Sequence, residues 1–342
     1  MSVLGPPLFG FLADALGLRG HLLRLACGGA FLGFAAVATL GLVSKTPTLA
    51  ALLAAVVVFG FFRSPMVMMA DVVALEQSTK RGIPYGETRL FGSLGFLVSS
   101  AIAGRFVDPN APADIPIAVA ALLFITFLTT FTLPAKVRVP ARPQPRDMRA
   151  FLENRDVRLF LLGAFLAQSA FACYDQCFSL HLMARGASPT LVGAAWALGT
   201  LAEVLLMAKA SAIATRLPPP TLLAIAYGVS SLRWLLIGIL PGVWPLLALQ
   251  PLHAIAFALG WVSALAFIRE RTPGTILGTM QGLFTATVSA GSVTGMLVWI
   301  QIYRTRGGPF AFRCAAVVSL IACVCALAFR HKEREIRNSR PG

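Results

Sequence analysis

Six ionisable side chains stand inside long apolar runs: Arg63, Asp71, Asp175, Glu203, Arg233 and His253. A charge in hydrocarbon costs about 2.5–3.5 kcal/mol on insertion scales, so such residues are rare, turn inward and carry function. Carboxylates, arginines and a histidine placed this way can hold a polar solute, pair with one another, or load and release a proton as their surroundings change. Other chemistries lack their motifs. The chain has no His-Glu-x-x-His, Gly-x-Ser-x-Gly or P-loop string, so it is read as not an enzyme and as needing no cofactor or metal. Its cysteines, Cys27, Cys173, Cys177, Cys314, Cys323 and Cys325, all fall within apolar runs. Cys173 and Cys177 share a helical face, yet there is no zinc-like pair or second cluster, and they read as packing residues.

The elements that must position these groups follow from composition. Hydrophobic residues make up 57% of the 342, charged residues only 13%, and mean hydropathy is +0.77. A soluble domain carries about a quarter charged residues, so this is an all-α polytopic membrane protein. Predicted spans are 22–43, 48–76, 86–107, 113–134, 158–184, 189–216, 220–240, 243–268, 274–303 and 309–330. Each can cross a hydrocarbon core about 30 Å thick at 1.5 Å per residue. Runs this long, without two-residue alternation, are helices and not barrel strands, because backbone polar groups must be satisfied internally in lipid.

The net charge of +15 is distributed by side. When loops are assigned alternately, 21 of the 29 Lys and Arg residues fall on one face and 6 on the other, with Arg63 and Arg233 embedded. The rich side is cytoplasmic by the positive-inside rule, which places the protein in the inner membrane with its C-terminus in the cytoplasm. No soluble basic module with interleaved aromatics exists, which excludes nucleic acid as a partner and leaves the lipid bilayer. A basic connection over 135–157, stiffened by Pro140, Pro143 and Pro145, separates an N-terminal bundle, 1–134, from a six-helix C-terminal bundle, 158–330. A basic tail, 331–342, follows.

Three strings place polar residues at defined points. Gly10-Phe-Leu-Ala-Asp14-Ala-Leu-Gly17-Leu-Arg19 runs straight into the first full span. It reads either as a specific junction of two helices or as an ordinary tight loop bearing an Asp. Pro65-Met-Val-Met-Met-Ala-Asp71 is followed by Tyr85-Gly86-Glu87-Thr88-Arg89-Leu90-Phe91-Gly92-Ser93-Leu94-Gly95-Phe96, so Asp71 ends one helix and Arg89 begins the next. The pair reads as a solute site or as a conformational salt bridge, since an unpaired buried charge is the costlier state. Then come Tyr174-Asp175-Gln176, Glu203, Ser231-Leu232-Arg233-Trp234 and Leu252-His253 on four successive helices.

These residues resemble the phenylpropionate permease and lactose permease-like proton symporters of the major facilitator superfamily, from Gly10 onward. The resemblance implies two helical bundles rocking about a midplane site, a small-molecule substrate moved with protons, and a monomer. It places the superfamily's signature between second and third helices on Gly10, Asp14, Gly17 and Arg19, as a gating motif. By that count the first helix and part of the second are lacking, through a misplaced start or a true truncation. No basic n-region or Ala-x-Ala site suggests a signal peptide. A non-transporting sensor or remnant is the alternative of another class.

The same resemblance places substrate binding on Asp71, Arg89, Phe96 and Glu203, and proton coupling on Asp175, Glu203, Arg233 and His253. Phe96 stands where galactoside symporters carry a stacking Trp. Without an indole N–H it favours an aromatic or other organic acid, with a sugar or nucleoside as the alternative. Ala256 and Gln250 replace a carboxylate and a Lys of those symporters. Asp175 is therefore expected to be neutral, solvated in a cavity, or paired with Arg233. Arg63 snorkels, binds an anion or pairs with Glu76, and a structural role is preferred. Gly274, Gly278, Gly282, Gly291 and Gly295 form small-residue packing faces. Gln168, Gln176, Gln250 and Gln281 line a cavity or bond between helices, and His181 and Lys209 face water at span ends.

Overall fold

The computed structural model describes residues 3–43, 48–82, 85–106, 114–133, 145–214 and 216–338. The predicted linker lies outside them up to residue 144, as do the last four residues of the tail. The helices are α1 (Gly5–Leu16), α2 (Arg19–Val43), α3 (Leu49–Arg63), α4 (Met66–Arg81), α5 (Tyr85–Phe106), α6 (Asp114–Thr129), α7 (Pro145–Glu153) and α8 (Arg155–Met183). They continue as α9 (Pro189–Ala214), α10 (Pro219–Ile239), α11 (Trp244–Ala248), α12 (Leu252–Ala254), α13 (Gly260–Arg271), α14 (Leu277–Arg306) and α15 (Gly308–Asn338). No strand occurs among the described residues.

Nine helical stretches among these residues are long and apolar enough to cross a membrane, against ten expected. The predicted 86–107 span is helical as α5 as far as Phe106, and its last residue lies outside the described residues. Proline shapes two others. The 48–76 run breaks between α3 and α4 at Pro65, which has no N–H to donate. The 243–268 run divides into α11, α12, a π-helical turn over Ile255–Leu259 and α13, with Pro245 in the first turn of α11 and Pro251 at the break before α12. Large apolar side chains such as Leu32, Leu49, Leu205 and Leu297 stay exposed, which is the favourable state for a helix surrounded by lipid tails.

Two compact units interleave along the sequence. The first holds Met1–Gly82, Val98–Met148 and Thr272–Ala286. Its core packs Phe9 and Ala13 of α1, Leu22, Leu23, Ala26 and Cys27 of α2, and Met68, Met69, Val72 and Val73 of α4. Arg24 closes the end of α6, donating to the carbonyls of Thr130 (3.3 Å) and Leu133 (2.9 Å), orphan acceptors that a helix C-terminus leaves behind. A Cβ added at Gly10 would overlap Gly278 O, and one at Gly282 would overlap Pro6 O, so α1 and the start of α14 touch backbone to backbone.

The second unit holds Ile83–Leu97, Arg149–Arg271 and Thr287–Gly342. Its core packs Tyr174, Cys177 and Phe178 of α8 with Trp234 and Ile237 of α10 and Phe312 of α15. Polar side chains join these helices in place of a hydrophobic driving force, as expected within lipid. Ser319 Oγ donates to Tyr227 O (3.0 Å), Ser231 Oγ to Ala316 O (2.8 Å) and Trp299 Nε1 to Ser169 O (2.6 Å). Gly291 and Gly295 let α14 lie against the carbonyls of Phe165 and Ser169. Of the glycines read from the sequence as packing faces, Gly278, Gly282, Gly291 and Gly295 meet a neighbouring helix closely, while Gly274 faces open space. His181 departs from expectation: it is buried, facing Ile237 O through Nε2 and Arg185 through Nδ1, because α8 continues past it to Met183. Lys209 is exposed, as expected.

Candidate functional site

The second unit builds a continuous chain of buried polar groups, starting from α5. Helical periodicity sets Arg89, Ser93 and Phe96 on one face of that helix. Ser93 Oγ donates to Glu203 Oε1 of α9 at 2.6 Å. Glu203 Oε2 lies 3.6 Å from His253 Nε2 of α12. His253 Nδ1 is 3.5 Å from Arg233 Nη1 of α10, and Arg233 Nη2 donates to Gln250 Oε1 at 2.7 Å. The phenol of Tyr174 on α8 donates to the same oxygen at 2.9 Å, and Gln250 Nε2 donates to Leu246 O at 2.7 Å. Ser93, Glu203, Arg233, Gln250 and His253 are all buried. Arg89 is half-buried and near enough for its charge to act on Glu203.

Among the described residues no carboxylate is in hydrogen-bonding contact with buried Arg233. Its guanidinium sits 4.3 Å from the centre of the Tyr174 ring and 4.8 Å from that of Trp234, where the negative ring faces stabilise a cation. Gln250 supplies the hydrogen-bond acceptor. Gln250 thus gives Arg233 a neutral partner, and of the three alternatives for Asp175 a direct ion pair with Arg233 is not seen among the described residues. Asp175 and Gln176 are exposed on α8. Beside His253, the π-helical turn brings side chains four apart into register. His253 stacks on Phe257 (5.7 Å between centres) and Phe257 on Trp261 (6.4 Å). Such turns are rare and recur at functional sites.

The first unit contains Asp71, buried on α4, and the Gly10–Arg19 string. Gly17 takes the left-handed conformation (φ 65°) that closes α1, and its N–H donates to Ala13 O. This leaves Asp14, fully buried, at the helix end. Its Oδ1 accepts from Gly278 N (3.0 Å), and its Oδ2 accepts from Thr279 N (2.6 Å) and Thr279 Oγ1 (2.8 Å), so it caps the first turn of α14. Arg19 pairs with Asp14 at 3.3 Å and with Glu76 at 3.5 Å. Glu76 therefore answers Arg19 and not Arg63, which is exposed at the end of α3. Phe96 is exposed on α5, the state of a ring offered to a solute or to lipid.

Sequence reasoning missed Ser93, Gln250 and Thr279 as working members. Ser93 stood inside the Tyr85–Phe96 string, which was the available signal. Replacing Asp14 with Ala removes the cap and leaves buried Arg19 with Glu76 as its remaining ion-pair partner, at a cost of about 3 kcal/mol. Asp14→Asn, which keeps one acceptor, is expected to lose about half of that. Thermal unfolding of the purified protein in detergent measures both, and unchanged melting of Asp14→Ala would contradict the assignment.

Known proteins agree with this architecture. The chain is 26% identical to the probable 3-phenylpropionic acid transporter of Escherichia coli strain K12, over 77% of this chain and 70% of that one. It is 28% identical to maltose permease of Geobacillus stearothermophilus, over 67% of this chain and 59% of that one, so it spans less than two thirds of this relative's length. The crystal structure of the E. coli fucose:proton symporter FucP superposes with a TM-score of 0.72 at 12% identity, over 94% of this chain and 86% of that one, a likeness of fold. The model of the MFS_1 like family matches residues 1–314, and the chain belongs to that family of multi-pass major facilitator transporters.

Proposed function

We propose that this protein is a proton-coupled secondary transporter of a small organic acid, an aromatic one in preference, working by alternating access. One observation carries the reading: the buried chain from Ser93 through Glu203, His253 and Arg233 to Gln250, set inside membrane-spanning helices where each charge is costly unless used. Asp71, Arg89, Phe96 and Glu203 bind the solute, while Asp175, Glu203, Arg233 and His253 handle the proton. Gly10, Asp14, Gly17 and Arg19 act as a gate, because the cap on Thr279 can be made in one state of the cycle and broken in another. The bundles 1–134 and 158–330 are the rocking halves of a monomer in the inner membrane. The excess of Lys and Arg puts its C-terminus in the cytoplasm.

The phenylpropionic acid transporter among its relatives supports an aromatic acid. A sugar is the second reading, favoured by the relationship to maltose permease. Phe96 weighs against it, since a phenyl ring stacks on an apolar face but donates no hydrogen bond to hydroxyls. The test is uptake of labelled 3-phenylpropionate into proteoliposomes under an imposed pH gradient, acid outside. Accumulation above equilibrium that collapses with a protonophore is the expected outcome. Accumulation of maltose but not of the acid would overturn the substrate assignment.

A further inference from the structure

Both oxygens of Glu203 already face donors belonging to the protein. Ser93, 4% exposed, gives its hydroxyl proton to Oε1 at 2.6 Å. The second donor follows from a tautomer argument. Arginine has no acceptor, and Arg233 Nη1 approaches His253 Nδ1 at 3.5 Å, so Nδ1 carries the lone pair. The ring proton of neutral His253 is then on Nε2, directed at Glu203 Oε2 3.6 Å away. Arg89 is in the opposite condition. Its buried Nε meets no acceptor among the described residues.

The balance of unfilled groups points to a kind of solute. A polyol needs acceptors for its hydroxyl protons, and each oxygen of the nearby carboxylate already has one of its two acceptor sites facing a donor of the protein. A carboxylate solute brings only acceptors, which a guanidinium satisfies with charge-assisted bonds. We propose that Ser93 is a specificity-determining residue: by holding Oε1 of Glu203 it withdraws that carboxylate from solute hydroxyls and leaves Arg89 to select an anionic group. The inference rests on the reading of Glu203 and Arg89 as solute-binding groups. It adds a residue outside the recognised motif roles and a reason for the preference.

The test compares two probes that share a phenyl ring, 3-phenylpropionate and phenyl β-glucoside, in proteoliposomes. Wild type should transport the carboxylate, with the glucoside competing at least tenfold more weakly. Ser93→Ala should narrow that preference about tenfold through KM and inhibition constants. Ser93→Thr, which keeps the hydroxyl, should restore the preference. Ser93→Cys, whose thiol fills similar space but donates weakly, should behave like Ser93→Ala and serves if the alanine variant is not monodisperse. The proposal is overturned if the hydroxyl-lacking variants keep the preference within about twofold, if they change kcat alone, or if Ser93→Thr behaves as they do. A wild type that prefers the glucoside would instead reject the organic-acid reading itself, a result visible before any variant is made.

Discussion

Arg233→Ala is expected to unfold the second unit more readily than any other single change in the polar chain, by about 3–5 kcal/mol. The guanidinium is fully buried, flanked by the rings of Tyr174 and Trp234, and is a donor to Gln250. Truncation opens a cavity between two aromatic rings and leaves His253 Nδ1 without its donor. Gln250 Oε1 retains the Tyr174 hydroxyl, so its own loss is partial. Arg233→Lys should recover less than half the stability, because an ammonium presents no planar face to the rings and cannot reach two acceptors in fixed geometry. Melting of the purified variants in detergent checks both, and a lysine variant as stable as wild type would contradict the caged-guanidinium description.

The second large effect concerns transport. Glu203→Gln keeps the side chain's shape and an oxygen for Ser93 but cannot exchange a proton. Uphill accumulation should fall at least tenfold while exchange of solute across the membrane stays within a few fold of wild type. The physical step is a change of role at one oxygen. Protonating Glu203 at Oε2 turns an acceptor into a donor facing His253 Nε2–H and opposes that contact, whereas the Ser93 hydroxyl can reverse and accept. Counterflow and gradient-driven uptake in the same vesicles separate the two quantities. Equal loss of both would make Glu203 a binding group only.

Much of the architecture was legible because lipid imposes a coarse code. Span length and the scarcity of charge gave the helices, but the run 48–76, read as one span, breaks at Pro65 between α3 and α4. The rotation of each helix was not legible. A helix bathed in lipid is apolar on its outer face as well as its inner one, so the amphipathic stripe that orients a soluble helix is missing. Hence Glu203 and His253 could be placed on helices, but not in contact. Asp14 was readable as a helix-end acid, whereas its partners Gly278 and Thr279 lie more than 260 positions away, and nothing local to either segment announces the cap. Gln250 was visible as a missing Lys and as one of four glutamines able to bond between helices. Its role as shared acceptor for Arg233 and Tyr174 depends on side-chain geometry that composition does not carry.

The most direct measurement is of the proton itself. In lightly buffered proteoliposomes at equal internal and external pH, adding 3-phenylpropionate outside should alkalinise the medium as solute and protons enter together, and Glu203→Gln should abolish the signal. Full solute uptake by the wild type with no accompanying pH change would contradict coupling through the buried chain.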